Sequence, residues 1–101
     1  MNYQVIVSNK ANQLIKEYLV FIANVSKEAA IKQNRIIKEA INKIAENPKI
    51  YPFFESDFIP SSKYHKFVIS KRYIILYQII DDTIFIDYVI DTRQDYSWLL
   101  R

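Results

Sequence analysis

Not one glycine occurs in the 101 residues of this chain, and that absence limits its folds more than any motif it carries. Glycine is the residue that enters the left-handed backbone region without a steric penalty. Without it, tight turns fall to Asn, Asp, Ser or Pro, whose short side chains or fixed φ suit them to bends. The Gly-rich loops that let backbone amides approach a phosphate are excluded as well, and with them P-loop and Rossmann nucleotide chemistry.

Other absences narrow the chemistry further. The chain has no cysteine and one histidine, so neither a disulfide framework nor a protein-only zinc site is expected. No metal and no cofactor is expected. Half of the residues are hydrophobic, enough to bury one core, and residues 1–101 read as a single domain. No apolar run reaches the roughly 18 residues of a membrane span, and the polar start "MNYQVIVSNK" lacks a signal-peptide layout. A cytoplasmic protein with no membrane partner is the expectation.

Periodicity supplies the elements. "YQVIVS" (3–8) alternates and is rich in β-branched residues, as a short strand is. From Asn9 the spacing changes to threes and fours through Ala11, Leu14, Ile15, Tyr18, Leu19, Ile22 and Val25, an amphipathic helix. Ser26 offers an N-cap for a second helix, with Glu28 in its first turn where the macrodipole favours an acid. That helix places Ala30, Ile37, Ala40, Ile41 and Ile44 on one face. Glu28, Lys32, Arg35, Glu39 and Lys43 lie on the other as solvent-facing support. Pro48 disfavours helix at Asn47 and ends it.

Residues 49–62 form an irregular connection whose Phe53, Phe54, Phe58 and Ile59 are too apolar for a free linker. Three strands follow: "YHKFVIS" (64–70), "YIILYQII" (73–80) and "TIFIDYVID" (83–91), the last two joined by a two-residue Asp81-Asp82 turn. The strand 73–80 is apolar on both faces, which places it inside a sheet. Along 83–91, strict alternation sets Ile84, Ile86, Tyr88 and Ile90 on one face and Phe85, Asp87, Val89 and Asp91 on the other. The order β-α-α-β-β-β predicts an α+β fold, a helical hairpin packed on one face of a small, mostly antiparallel sheet.

Charge is modest overall, 14 basic against 11 acidic residues, but unevenly spread. From Ser61 to Tyr77 the chain carries Lys63, His65, Lys66, Lys71 and Arg72 and no acid. Such a block is either the footprint of an anionic partner or a solvated strand face with Lys blunting an edge. Past the last strand comes "DTRQDYSWLL" (91–100). Arg93 stands between Asp91 and Asp95, two residues either side and expected to hold it in place, and Tyr96, Trp98, Leu99 and Leu100 are expected to fold back and cover the sheet edge.

The element order, with a basic strand, the Tyr73–Tyr77 strand, an acidic turn, an alternating strand and then Arg93-Gln94-Asp95 ahead of leucines, resembles the RelE/ParE superfamily of toxins from bacterial type II toxin–antitoxin modules. "NPKIYP" after the helices fits the same pattern. The resemblance implies a growth-inhibiting toxin neutralised by a cognate antitoxin. It also implies one of two targets. RelE-like members cut messenger RNA on the ribosome, and the residues here that match such a set are His65, Lys66, Arg93 and Tyr96. That set is incomplete. Phe67 stands at a lysine-like place, and Ile74, beside Tyr73, where an arginine is expected. ParE-like members bind and block DNA gyrase, and "RQD" followed by leucines is closer to their tails. ParE-like inhibition is therefore favoured, with Lys63, Lys66, Lys71, Arg72 and Arg93 as target-binding candidates. Ribosome-dependent RNA cleavage is the alternative.

Overall fold

The computed structural model describes residues 3–57 and 59–93. Strand β1 (Gln4–Val7) leads into helix α1 (Asn9–Ala23) and helix α2 (Lys27–Glu46), and a single 3-10 turn, Pro48–Ile50, follows. Strands β2 (His65–Ile69), β3 (Tyr73–Ile80) and β4 (Thr83–Asp91) complete the order read from the sequence. The sheet runs β1-β4-β3-β2, with β1 parallel to β4 and the other two pairings antiparallel. Strand β3 is interior, as its two apolar faces require.

Both helices begin at serine caps. The Ser26 hydroxyl accepts from the Ala29 amide at 3.1 Å, and the Ser8 hydroxyl accepts from the Ala11 amide at 2.9 Å. Each satisfies one of the amide donors that a helix start leaves over. The hairpin packs one apolar side on the sheet, where Ala11, Ile37, Ala40 and Ile44 meet Ile75, Tyr77, Ile84, Ile86 and Val89. Complete burial of a residue such as Ile44 contributes about 1.5–3 kcal/mol. The charged positions Glu28, Lys32, Arg35, Glu39 and Lys43 are all exposed. Val25 is not part of this face: it lies beyond the end of α1 and is 86% exposed.

The opposite face of the sheet is covered by the irregular connection. Phe54 and Ile59 pack on Tyr64, Leu76 and Ile90, a second small core. Phe53 instead stays half-exposed and pairs with His65 in an isolated bridge, while Phe58 lies outside the described residues.

One register feature departs from the pattern along 83–91. Tyr77 pairs with Ile86 but Leu76 pairs with Tyr88, so Asp87 is an extra residue on β4, a β-bulge. A bulge shifts the side-chain alternation by one. Ile84 and Ile86 face the helices, as does Val89 beyond the bulge, whereas Tyr88 and Ile90 turn to the other face. The strict alternation expected from the sequence therefore holds only up to Ile86.

The bulge is held from three sides. The Asp87 carbonyl accepts from the Ser8 hydroxyl at 2.9 Å, and its carboxylate accepts from the Tyr64 hydroxyl at 2.9 Å and Gln78 Nε2 at 2.7 Å. Burial, and then the bond to Asp87, push the Tyr64 phenol well above its ordinary value. It stays a protonated donor throughout the physiological range.

Positive φ occurs at Ser62, Ser70, Lys71 and Asp81. Three of these are Ser or Asp, as a glycine-free chain leads one to expect. Lys71 is the exception.

Candidate functional site

The basic block is divided between two ends of the sheet. At one end, the turn 69–72 closes through the Arg72 amide and the Ile69 carbonyl at 3.0 Å, with left-handed backbone at Ser70 and Lys71. The chain leaving β4 is stitched to this turn. The Thr92 amide donates to the Arg72 carbonyl at 2.8 Å, and the Thr92 hydroxyl reaches the same carbonyl at 3.1 Å. This brings Lys71, Arg72 and Arg93 together. The far end of β3 and β4 carries Asp81 and Asp82, so the sheet is basic at one end and acidic at the other.

Arg93 is held by Asp91. Its Nε and Nη2 donate to Oδ1 and Oδ2 of Asp91 at 3.2 and 3.1 Å, and its backbone amide adds a 2.9 Å bond to Oδ1. The Asp91 side chain is 5% exposed and that of Arg93 55%, so one edge of the fork is anchored by a buried acid on a half-exposed arginine. Burial pushes the Asp91 carboxyl up. Hydrogen bonds from Arg93 and the charges of Arg93 and Arg72 outweigh it and hold the group below the usual carboxylate value. The Arg72 guanidinium lies over the Tyr73 ring, 5.8 Å from its centroid. Asp95, the other acid near Arg93 in sequence, lies outside the described residues, as do Tyr96 and Trp98.

Next to this end lies a cleft of about 670 Å³ between α1 and the sheet. Lys10, Leu14, Glu17, Tyr18 and Phe21 of α1 face Tyr73, Asp91 and Arg93 across it. Tyr18 ties the two walls together, donating to the Val89 carbonyl at 3.0 Å with its ring 5.1 Å from that of Tyr73.

His65 sits elsewhere. It opens β2 and pairs with Tyr77, whereas Tyr73 pairs with Asp91. Four residues along a strand are about 13 Å, and two strand spacings add about 10 Å across the sheet. The imidazole is the middle of a ring ladder, 4.3 Å from Phe53 and 5.2 Å from Tyr77. Its Nδ1 lies 2.7 Å from the Tyr51 carbonyl. A carbonyl only accepts, so Nδ1 carries the proton in this arrangement. Lys66 alternates to the other face, where its strand partner Leu76 belongs to the second core. Lys63 lies in the loop ahead of β2, with Nζ 5.4 Å from the Tyr64 ring centroid. The structure thus brings together Lys71, Arg72 and Arg93 and leaves Lys63, His65 and Lys66 apart from them.

Sequence reasoning named Asp91 and Asp95 as the acids to hold Arg93, and the structure shows Asp91 doing so; it missed the cleft.

Among the described residues, no helix is long and apolar enough to cross a membrane, and no group of His, Cys, Asp and Glu is placed to hold a metal ion.

Comparison with known proteins agrees with this architecture. A solved structure described as the chromosomal ParDE TA system from P. aeruginosa superimposes with a TM-score of 0.72 over 88% of this chain and 95% of that one. The two are 12% identical in sequence, so the likeness concerns the fold. No curated protein matches the chain. The family described as ParE toxin of type II toxin-antitoxin system, parDE, matches residues 5–96. The chain belongs to the ParE toxin family of type II toxin–antitoxin systems.

Proposed function

We propose that the protein inhibits growth by binding DNA gyrase, in the cytoplasm, and that a cognate antitoxin neutralises it. The observation that carries the gyrase reading is the separation of His65 from Arg93. Cleaving RNA through its own 2′-hydroxyl needs a proton acceptor, a proton donor and cations within reach of one phosphate. His65 is packed between two rings, and the guanidinium that would meet the same phosphate is at the other end of the sheet. Binding a large partner needs no such convergence. A cluster of cations at the surface suffices, and the exposed Lys71 and Arg93 form one with the half-buried Arg72.

The antitoxin reading is supported by surface that stays apolar. Val20 and Ile31 are more than half exposed and border a shallow groove of about 430 Å³ across the two helices. Exposed apolar surface of this kind marks protein interaction sites. The net charge of +3 suits a partner with an acidic binding segment.

A supercoiling assay with purified gyrase, beside a cleavage assay with ribosomes and message, separates the two targets. Loss of supercoiling with intact message is the expected result. Message cut on the ribosome with gyrase unaffected sinks the proposal and moves it to RNA cleavage. His65→Phe preserves the ring ladder and removes the proton carrier, so toxicity should survive it. Single Ala substitutions of Lys71, Arg72 and Arg93 should weaken gyrase binding by about 1–2 kcal/mol at the important positions. For the antitoxin, the neighbouring small open reading frame should restore growth and co-purify on co-expression. Failure of both counts against it.

A further inference from the structure

Three cations, Lys71, Arg72 and Arg93, meet where β2 turns into β3 and where β4 runs out. We propose that this end of the sheet docks on the phosphodiester backbone of duplex DNA. The inference rests on the gyrase reading, since gyrase works on duplex DNA, and it gives the toxin a nucleic-acid contact beside the protein one.

Preorganisation is the first argument. Asp91 takes Nε and Nη2 of Arg93. A guanidinium has five N–H donors in a rigid fork, so the buried acid sets the direction of those that remain. Arg72 lies over the Tyr73 ring, and its Nε makes no hydrogen bond among the described residues. A ring, not an acid, holds that cation. Lys71 is exposed in the left-handed backbone of the turn, where a β-carbon is costly. Strained residues cluster at functional sites, and here the strained residue carries a charge.

The field is the second. Asp81 and Asp82 lie at the opposite end of β3. Seven steps along that strand, from Tyr73 to Ile80, span about 24 Å. The Debye length at physiological salt is about 8 Å, so the acidic end does not cancel the basic one. A molecule charged in this way turns its basic end to a polyanion. Glu17, an exposed acid facing Arg93 across the cleft, is the local counter-charge.

The form of the nucleic acid is the third. Single strands are held by a run of aromatic faces on which successive bases stack. Tyr73 is 4% exposed and lies beneath Arg72. Tyr18 packs its ring on Tyr73 and is tied to the Val89 carbonyl. Phe21 is left as the exposed ring of the cleft, and one ring makes no run. Cations alone suit a duplex, whose bases are paired and whose phosphates face outward.

Fluorescence anisotropy of a short labelled DNA duplex, across a salt series with the full-length toxin alone, tests this. Three phosphate contacts give a slope of log affinity against log salt of about −2.7. Lys71→Gly should weaken binding several-fold and bring the slope to about −1.8. That change relieves the strained turn, so the loss is not one of folding. Glu17→Gln should tighten binding several-fold, a gain that misfolding does not produce. Lys32→Ala, at an exposed lysine of α2, should leave the slope unchanged. A slope that ignores Lys71→Gly overturns the proposal, as does one that Lys32→Ala lowers equally. Tighter binding to single-stranded RNA of equal length also overturns it. The supercoiling assay keeps the two readings apart. Gyrase inhibited, with the duplex slope unmoved by Lys71→Gly, sinks the DNA contact alone. The expected duplex behaviour with gyrase untouched sinks the gyrase reading alone.

Discussion

Lys71 sits in left-handed backbone at φ 62°, next to Ser70 at φ 53°. An L-residue pays about 1–2 kcal/mol there because its β-carbon crowds the following carbonyl. Glycine avoids that clash but loses about 0.5–1 kcal/mol more conformational freedom on folding. The difference predicts that Lys71→Gly stabilises the protein by roughly 0.5–1 kcal/mol. Removing the lysine charge from beside Arg72 and Arg93 also relieves repulsion, so the charge effect needs its own control. Lys71→Ala supplies it, since it removes the charge and keeps the β-carbon. Glycine should therefore exceed alanine by roughly 0.5–1 kcal/mol, or about 2–8 °C in melting temperature for a domain this size. The same exchange on the exposed face of α1, Lys16→Gly against Lys16→Ala, should go the other way by about 1 kcal/mol. Thermal and urea melts of the four variants decide it. If Lys71→Gly proves no more stable than Lys71→Ala, the idea that this turn is strained for want of glycine is wrong.

Ser8→Ala removes both a helix cap and the bond to the Asp87 carbonyl, and should cost about 2 kcal/mol in a urea melt. A loss below half of that shows that the bulge does not lean on the cap. Tyr77→Phe leaves the Pro48 carbonyl without its 2.7 Å donor in a buried site, and the expected loss is about 1–3 kcal/mol. Acid stability should follow Asp91: a carboxyl held below its ordinary 3.8 contributes stability that is present above that pH and lost as pH falls through the folded value. Asp91→Asn should flatten that acid limb. At the alkaline end, burial pushes Tyr18 from 10.0 up to about 12, so its contribution is present below pH 10 and lost as pH rises towards 12. Tyr18→Phe should remove that part of the alkaline titration.

The elements were legible because each had a local cause. The shift from twofold to three-and-four spacing at Asn9, the cap at Ser26 and the stop at Pro48 are short-range signals, and all three hold in the structure. What stayed illegible was set by groups far apart in the chain. Nothing within "TIFIDYVID" says that Asp87 is an extra residue, since the stretch alternates without a fault. The bulge depends on the Ser8 hydroxyl, 79 residues away, and on Tyr64, 23 residues away. Those partners exist only once β1 lies beside β4 and the connection has crossed the opposite face. The bulge matters to the site as well. By shifting the alternation after Ile86 it leaves Val89 on the helix side, and Asp91, two residues on, shares that side. A regular strand would have set Asp91 on the far face from Tyr18 and the cleft, with its grip on Arg93 turned away from α1. The position of the basic end relative to the helices is therefore a consequence of one inserted residue, held in place by a serine that also starts α1.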